Sequence, residues 1–470
     1  MRPEVTIYIT NFNYSKYLPK AIESCLNQTF KNLEIIIIDD GSNDGSQEII
    51  NSYANKNQNI VPIFKKNQGL VKACNTALSS ARGKFIIRLD ADDWFDKNAI
   101  KLMVYELNQD KKLQIIFPDY YEVDKYDKIL RSIRRHDFEK VGLLDQPAHG
   151  ACTMFRTKTL ISDGGYDEFF NCQDGVDIWL RFIKKHKISN LNIPLFYYRK
   201  HELSITKNSN KILRNKNKIL KKNSLNKNKK AVAILPIRGP KFDKFSQTFR
   251  TLGKKKLIDW TLDYLLKVSP KLDIIVSSPD KDVLKYIKDK KHSRLIPIYR
   301  PSELASANIL LSPSILEARK EYKKIKKIDP DFIVLVKLNS PFMDCKHLEN
   351  AINTIKIFDL DMVLGVSTND KMYFNHNGQT LVPLRTYDKD TLLNGEGTKI
   401  NIKIEAEEIY YNTGNFIVYK SENIKDFDEL QNLRIGHEIL DRLSAFELKG
   451  EFEFEIAKKI SQNFKKFSKI

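Results

Sequence analysis

The sequence FIIRLDADDW, residues 85–94, decides how the first half of this chain folds. A short apolar run, Phe85 to Ile87, leads directly into three carboxylates, Asp90, Asp92 and Asp93. Such runs are typical of strands buried on both faces of a parallel sheet, and ligands bind beyond the carboxyl ends of those strands. Two interpretations stay open: a site for a divalent cation with a phosphate, or a solvated acidic turn before a helix.

The segments before this stretch alternate between strand and helix patterns. Val5–Thr10, Leu33–Ile38 and Val61–Lys65 are apolar strands separated by helical patterns and polar turns. This alternation predicts an α/β fold with a mostly parallel, doubly wound sheet. The acidic pair Asp39-Asp40 follows the second strand, where carboxylates commonly hold ribose hydroxyls or a base edge.

Length and composition limit the number of domains, the location of the protein and the kinds of metal site that it can contain. At 470 residues, 41% of them hydrophobic, the chain is long enough for two domains and a linker. It contains no apolar run of about 18 residues and begins without an apolar leader, so we expect a cytoplasmic protein without a transmembrane helix. The five cysteines show no CxxC spacing, which fits reduced thiols and argues against a zinc site.

Half of the net charge of +20 lies in one segment. Residues 207–230 hold ten Lys or Arg residues and no acid. We predict a basic linker here, between domains at 1–206 and 231–470. Such a segment can bind anionic lipid headgroups at the inner face of a membrane, although a solvated spacer is the alternative. The remainder shows no motif that reads nucleic acid, so we expect no specific nucleic-acid partner.

The first domain resembles the family 2 glycosyltransferases, which have the Rossmann-like GT-A fold. The resemblance covers about residues 3–205 and rests on an ordered set of motifs: TNFN at 10–13, IIIIDDGSNDGS at 35–46, NQG at 67–69, FIIRLDADDW at 85–94, GGYDE at 164–168 and QDGVDIWLR at 173–181. It implies an inverting, metal-dependent transfer from a nucleoside-diphosphate sugar to a glycan or lipid-linked acceptor in surface polysaccharide synthesis. The implied cofactor is Mn²⁺ or Mg²⁺.

The resemblance also assigns roles to particular residues. Asp40, with Asp39 beside it, matches the acid that contacts the nucleotide base or ribose, and Thr10 matches the lining of the nucleoside pocket. Asp90 and Asp92 match the two acids of the DxD motif. The first lies near the ribose and the metal, and the second binds the metal that bridges the diphosphate.

Asp174 lies where the family's catalytic base is expected, and Asp177 is the second candidate. The family motif usually reads Glu-Asp three residues before a second Asp, whereas this chain has Asp-Gly. An inverting transfer needs a carboxylate that takes the acceptor's proton during attack on the anomeric carbon. The acceptor side is expected around Gln146–Phe155, where His149 either contacts the ligands or is structural. His201 is expected near the metal or diphosphate.

From Ala231 the strand–helix pattern restarts, which predicts a second Rossmann-like α/β domain. This domain resembles the acylneuraminate cytidylyltransferases in four segments: LPIRGPKFDKFSQTFRTLGKKKLIDWTL at 235–262, LVKLNSPFMDCKHLENAI at 335–352, YYNTGNFIVYK at 410–420 and FEFEIAKKI at 452–460. The resemblance implies a nucleotidyltransferase-like fold that activates a sialic-acid-type sugar with CTP, and it places Arg238 in the nucleotide loop.

The second domain differs from that family at the phosphate loop and at the metal-binding positions. Pro240 replaces a glycine of the phosphate loop, which removes an N–H and stiffens the backbone. Glu447 and Lys449 stand where the family has paired metal aspartates. We interpret 231–470 as a degenerate domain retained for binding, substrate presentation or homodimer formation. A cytidylyltransferase, acting alone or coupled to transfer, is the alternative function.

Overall fold

A computed structural model describes residues 2–133, 150–170, 174–201, 209–224, 229–269, 271–306, 309–368, 374–376, 381–383, 410–426 and 433–464. The chain divides into two compact units, Met1–Asn208 with Lys371–Glu407 and Ser209–Asp370 with Glu408–Ile470. None of the helices in the described ranges is long and apolar enough to cross a membrane.

The first unit opens with the predicted alternation of strands and helices. Its first elements are β1 (Val5–Asn11), α1 (Leu18–Leu26), β2 (Leu33–Asp39), α2 (Ser46–Lys56), β3 (Ile60–Phe64), α3 (Leu70–Ser80) and β4 (Phe85–Asp90). They are followed by β5 (Trp94–Phe95), α4 (Ala99–Gln109), β6 (Leu113–Val123), β7 (Ile129–Ile133), β8 (Met154–Arg156), α5 (Thr157–Ser162), α6 (Asp174–Phe182) and β9 (Lys187–Arg199).

The first sheet has the order β3-β2-β1-β4-β8-β6-β9-β5, with β7 beside β6. Strand β1 lies parallel between β2 and β4, and β3 extends this parallel half. Strand β8 runs antiparallel to both β4 and β6. The predicted α/β class is therefore confirmed as a mixed α/β fold, but the antiparallel β8 was not predicted because its three residues carry too little pattern.

Side chains of the central strands alternate between two buried layers. Ile7, Ile35 and Ile87 lie in one core, which also contains residues of α1 and α4. Ile36 and Ile86 lie in the other core, with residues of α3 and α6. Successive side chains of a strand point to opposite faces, so continuous apolar runs produce a sheet covered on both sides. The polar residues at the strand ends are thereby held on a rigid base.

The second unit is built on its own sheet. Its elements are α7 (Ser209–Asn223), β10 (Ala231–Pro236), β11 (Thr251–Leu252), β12 (Lys255–Lys256), α8 (Leu257–Lys267), β13 (Asp273–Ser278), α9 (Lys281–Asp289), β14 (Leu295–Tyr299), α10 (Leu311–Lys326), β15 (Phe332–Val336), α11 (Cys345–Phe358), β16 (Met362–Thr368), β19 (Tyr410–Lys420), β20 (Ile435–Ile439) and α12 (Glu451–Gln462). The paired strands β17 (Phe374–His376) and β18 (Leu381–Pro383) come between β16 and β19 in the chain and belong to the first unit. The sheet order is β14-β13-β10-β15-β19-β16-β20, with β19 antiparallel to both of its neighbours.

Helix α7 occupies much of the segment for which the sequence predicted a linker. Its Ile219 is fully buried. Lys216 forms an ion pair with Glu438 at 2.7 Å, and Lys221 forms one with Glu349 at 2.7 Å. The structure thus differs from a simple spacer. The Lys- and Asn-rich composition does not indicate a helix, but the few apolar residues of this segment are enough to form one buried helical face.

A buried histidine connects α11 with the sheet of the second unit. His347 Nδ1 lies 2.9 Å from Glu438 Oε1, and Nε2 lies 2.9 Å from Asp441 Oδ2. Burial alone lowers the pKa of His347, but the two carboxylates outweigh it and raise this pKa to about 9. Burial likewise opposes ionisation of Glu438, yet Lys216 and His347 lower its pKa to about 2. The network therefore contains a histidinium at neutral pH.

We expect the second unit to lose stability as the pH rises through about 9. The folded pKa of His347 lies above the ordinary value of 6.5. The contribution of the histidinium, roughly 3 kcal/mol, is therefore complete below pH 6.5 and is lost as the pH passes the folded pKa. Hydrogen-exchange protection of β20, corrected for intrinsic rates, should fall over this range. His347→Gln should show no such fall, and pH-independent protection of the wild-type protein would contradict the expectation.

Candidate active site

The polar strand ends of the first unit meet at one edge of its sheet. Thr10 of β1 pairs in register with Asp90 of β4, and Asn11 pairs with Asp39 of β2. The Thr10 hydroxyl donates to Asp90 Oδ1 at 3.0 Å. The parallel register thus brings together residues that lie up to 80 positions apart in the sequence.

Asp39 is fully buried and holds the turn between β2 and α2. Its carboxylate accepts hydrogen bonds from Asn11 Nδ2 at 2.8 Å, the Ser42 N–H at 3.0 Å and Gln47 Nε2 at 3.0 Å. A carboxylate with this many donors is fixed in direction. Asp39 therefore shapes the loop that contains Asp40.

Asp40 links the end of β2 to the loop before α3. Its carboxylate accepts hydrogen bonds from the backbone N–H groups of Gly69 at 2.7 Å and Gln68 at 3.1 Å. Lys65 Nζ lies 3.8 Å from Asp40 Oδ1. The NQG motif noticed in the sequence is thus bound to the acid of the IIDD motif, and together they form one wall of the site.

One arginine joins two of the predicted acids. Arg88 Nε lies 3.1 Å from Asp90 Oδ1, and Arg88 Nη1 donates to Asp174 Oδ2 at 2.5 Å. Burial raises the pKa of Asp90, and Arg88 offsets this only in part. Asp174, the first residue of α6, is therefore held beside the strand that carries the DxD motif.

The two candidate bases have different surroundings. Asp174 Oδ2 receives Arg88, whereas Asp174 Oδ1 has no hydrogen-bond partner among the residues that the structure describes. Asp177 is 1% exposed and accepts Arg181 Nε at 2.9 Å. Arg181 also donates to the backbone carbonyl of Gly165 at 2.7 Å. Asp177 thus helps to hold the turn before α6, while Asp174 lies next to the strand-end acids.

Asp92 lies beside His201. Its Oδ2 is 2.8 Å from His201 Nε2, and its backbone carbonyl accepts Arg199 Nε at 2.8 Å. The imidazole also contacts the rings of Tyr14 and Tyr17, with centroid distances of 5.6 and 5.3 Å. The structure thus places His201 beside an acid of the DxD motif, and its position near the metal or diphosphate stays a prediction.

Asp93, the third acid of the opening stretch, faces inward. It is 1% exposed, and its Oδ1 accepts the Arg199 N–H at 2.8 Å. Burial and the neighbouring acids Asp92 and Asp90 raise the pKa of Asp93 well above its usual range. This carboxyl group anchors the turn after β4 and lies outside the open part of the site.

The donor set fits a divalent cation that takes most of its ligands from a substrate. Within the described ranges no group of three or more His, Cys, Asp or Glu residues is arranged to hold a metal by itself. Asp92 and His201 nevertheless offer an oxygen and a nitrogen only 2.8 Å apart, with the partly exposed Asp90 close in sequence. Mg²⁺ characteristically binds one or two carboxylates together with substrate phosphates and water.

Sequence reasoning missed Arg88, although a signal was present. A charged residue inside the buried run Phe85–Leu89 needs a partner, and the acids of the same stretch are near enough to supply one. The predicted acceptor wall is described only at 150–155, and His149 lies outside the described residues.

In the second unit Arg238 of the predicted nucleotide loop lies near a second arginine, Arg300, which directly follows β14. Arg238 Nη2 donates to the Ser306 carbonyl at 3.3 Å. Arg300 is 4% exposed and donates to the Ile237 carbonyl at 3.2 Å, while its buried Nε has no hydrogen-bond partner. Burial and Arg238 lower the pKa of Arg300 to about 10. Gly239 has φ +79°, and a Cβ there would lie 2.4 Å from Asp280 Oδ2.

Comparison with known proteins finds a family match within the first unit. Residues 6–162 match the family model described as Glycosyl transferase family 2. The chondroitin synthase of Pasteurella multocida (strain Pm70) is 29% identical over 191 residues, which are 40% of this chain and 20% of that protein. An uncharacterized glycosyltransferase of Rickettsia prowazekii (strain Madrid E) is 32% identical over 196 residues, 40% of this chain and 60% of that protein. The chain thus spans less than two thirds of either relative.

Solved structures add only a weak similarity. Staphylococcus aureus TarS 1-349 in complex with UDP-GlcNAc is 20% identical, with a TM-score of 0.41, and the alignment covers 47% of this chain and 67% of that chain.

Proposed function

We propose that this chain transfers a sugar from a nucleoside-diphosphate sugar to a hydroxyl of a glycan or lipid-linked acceptor, with inversion, in surface polysaccharide synthesis. The match of residues 6–162 to the family 2 glycosyltransferase model supports this proposal. The observation that carries the proposal is the convergence of Thr10, Asp90 and Asp174 at one edge of the first sheet. Ligands of open α/β sheets bind at this edge.

The nucleoside half of the donor is assigned to the loops after β1 and β2. Thr10 and Asp90 supply a hydroxyl and a partly exposed carboxylate for ribose oxygens. Asp40 fixes the loop at Gln68 and Gly69, whose position sets the width of the base pocket. In this assignment Asp39 acts by holding Asp40's loop.

Asp174 is proposed as the catalytic base. As the acceptor oxygen forms its bond to the anomeric carbon, Asp174 Oδ1 takes the hydroxyl proton, and the bond from that carbon to the phosphate oxygen breaks. The nucleoside diphosphate leaves with the electron pair. Arg88 holds Oδ2 throughout, so only one oxygen of the carboxylate is presented to the acceptor.

Asp92, with His201 and Asp90, would hold Mn²⁺ or Mg²⁺ against the diphosphate. The cation, when bound, supplies positive charge that stabilises the departing nucleoside diphosphate. Asp92 is the residue best suited to it, because its side chain already lies within 2.8 Å of the second donor group.

Release of nucleoside diphosphate from a panel of UDP-, GDP- and CDP-sugars, with and without Mn²⁺, tests the proposed function. We expect one donor to be turned over in a Mn²⁺-dependent manner, and faster when glycan acceptors are added. An absence of turnover with every donor, by a protein shown to be folded, would contradict the proposal.

A second candidate function, nucleotide binding by the second unit, is favoured by Arg300. A buried guanidinium beside another arginine, without an acid partner recorded in the described ranges, is stabilised by a bound anion. The loop with Gly239 and Arg238 lies at the carboxyl end of β10, where a nucleotide would bind. Titration of the full chain with CTP tests this candidate, and a failure to bind CTP would contradict it.

Peripheral binding to an anionic membrane is proposed for α7. One face of this helix carries basic residues at spacings of three and four, all exposed: Lys211, Arg214, Lys218 and Lys222. Residues at these spacings share one face of a helix, and each basic residue near an anionic surface contributes about 1 kcal/mol to binding.

Neutralising that face with Gln should lower flotation with vesicles containing phosphatidylserine by at least about tenfold, while turnover of soluble donors should not change. The matched control removes the same charge from exposed lysines near the end of α10: Lys320, Lys323, Lys324 and Lys327. Equal losses in both variants would show that net charge alone matters and would contradict a role for α7.

A further inference from the structure

We propose that Arg88 is a positioning residue, which aligns Asp174 with the donor site at Asp90, and that the backbone at Gly150 keeps the guanidinium in place. This inference rests on the proposed function, in which Asp174 is the base. It assigns a role to two residues for which neither sequence pattern nor family likeness gave one.

The guanidinium contacts the two carboxylates through different nitrogens. Arg88 Nη1 donates to Asp174 Oδ2 at 2.5 Å, and Nη2 donates to Asp90 Oδ2 at 3.5 Å, while Nε lies 3.1 Å from Asp90 Oδ1 without forming a hydrogen bond. The donors of an arginine form a planar fork of fixed geometry, whereas a lysine offers a single point charge. The separation and relative orientation of the two acids are therefore set by one rigid group.

The same contact fixes which oxygen of Asp174 faces a substrate. Oδ2 is occupied by Arg88, and Oδ1 has no hydrogen-bond partner in the described part of the chain. Catalytic bases are characteristically oriented by a third group that binds their other heteroatom. Arg88 orients Asp174 in this way. Because Arg88 also contacts Asp90, it links Asp174 to the proposed ribose site.

The arginine has little freedom to move away. Arg88 is 4% exposed and Asp174 6% exposed, and Arg88 Nη1 also lies 3.6 Å from Cys74 Sγ. Removing a guanidinium from such a pair leaves two carboxylates, Asp90 and Asp174, without their shared counter-charge. A buried charge without its partner is strongly disfavoured, so the arrangement persists in the folded protein.

The segment before β8 covers the Arg88 guanidinium, and the residue of this segment that lies against it is Gly150. A Cβ at Gly150 would lie 2.6 Å from Arg88 Nη2 and 3.1 Å from Asp174 Oδ2, so a larger residue must displace one of them. Two residues later the Cys152 N–H donates to the Arg88 carbonyl at 2.9 Å, with Cys152 at φ +58°. Left-handed backbone at a residue other than glycine persists only where surrounding structure enforces it.

A purely structural ion pair is the competing explanation, and Gly150→Ala distinguishes the two. This substitution changes no charge, but its Cβ would press on Arg88 Nη2 and on Asp174 Oδ2, the oxygen that Arg88 binds. Arg88→Lys is the second variant, because it keeps the positive charge but removes the planar set of guanidinium donors. Arg156→Lys is the control, since Arg156 is another partly buried arginine of this unit, which donates to the Leu113 carbonyl at 2.8 Å.

Each variant is assayed as the full chain for three quantities: thermal unfolding, the KM for the donor identified by the nucleotide-sugar panel, and kcat for nucleoside diphosphate release. Gly150→Ala should lower kcat by about 10²-fold with donor KM unchanged, which is the effect of misplacing a reacting group by about 1 Å. Arg88→Lys should lower kcat similarly. Arg156→Lys should change the unfolding temperature without changing kcat.

The outcomes separate this inference from the proposed function. Wild-type kcat in folded Gly150→Ala and Arg88→Lys proteins would overturn the positioning role and leave the transferase intact. A rise in donor KM without a change in kcat would place Arg88 in donor binding and would also overturn it. If the wild-type protein turns over no nucleotide sugar, the proposed function fails, and the Arg88–Asp174 contact is then structural.

Discussion

Replacement of Asp174 by Asn is expected to lower kcat for sugar transfer by about 10²–10⁴-fold, which is the usual contribution of a general base. An amide cannot take the acceptor's proton, although it still accepts a hydrogen bond from Arg88. The substitution also removes one of the two negative charges beside a buried guanidinium. Breaking a buried pair in this way costs up to about 3–5 kcal/mol, so the variant must be assayed well below its own unfolding temperature.

Asp177→Asn is the matched comparison for this variant. Both aspartates lie on α6, both are buried, and both are bound to an arginine, so the structural cost should be similar. Only Asp174 adjoins Asp90 through a shared arginine. We therefore expect Asp177→Asn to destabilise the protein while retaining most of kcat. Loss of turnover in Asp177→Asn, with Asp174→Asn active, would assign the base to Asp177 instead.

Replacement of Asp92 by Ala is expected to abolish Mn²⁺-dependent binding of the nucleoside diphosphate and to lower turnover by about 10³-fold, since the cation supplies several kcal/mol of charge stabilisation. The substitution also removes the carboxylate that lies 2.8 Å from His201. Calorimetric titration with nucleoside diphosphate, with and without Mn²⁺, measures the binding directly.

Asp92→Asn separates the metal from the structural contact. The amide can still hydrogen-bond His201 but carries no charge, so the fold should be as stable as that of the wild-type protein while the response to Mn²⁺ is lost. Donor affinity that remains Mn²⁺-dependent in both Asp92 variants would remove Asp92 from the metal site.

The central strands were predictable because their side chains carry a strong local signal. Continuous apolar runs formed β1, β2 and β4 at nearly the predicted bounds, and the helices α1 and α3 followed from apolar residues at helical spacing. The expectation that a ligand site lies beyond the carboxyl ends of these strands used the general rule for parallel sheets. These features depend on short stretches of sequence and on a general rule of α/β folds.

The remaining features depend on contacts between distant residues. Arg88 contacts Asp174 across 86 positions, and no local pattern pairs them. Asp92 and Asp93 are adjacent and chemically identical, yet one faces His201 and the other turns inward to the Arg199 N–H. The direction of each carboxylate is decided by strand β9, whose contact with this turn is not encoded in the DADD motif itself.

Helix α7 illustrates a different limit. Its composition favours a solvated spacer, because lysine and asparagine outnumber the apolar residues. Ile219 is nevertheless fully buried, and Lys216 and Lys221 are bound to acids of the second unit. The partners of those lysines, Glu438 and Glu349, lie more than 100 positions away, so a window of sequence around the helix could not reveal them.

The most direct test of the central claim is calorimetric titration of the full-length chain with UDP, GDP, CDP, CMP and CTP, each with and without Mn²⁺, beside Asp92→Ala. The account predicts that one nucleoside diphosphate binds in a Mn²⁺-dependent manner and that this binding is absent in the variant. Binding of CTP or CMP alone, or Mn²⁺-independent binding that Asp92→Ala leaves unchanged, would contradict a metal-dependent glycosyltransferase site in the first unit.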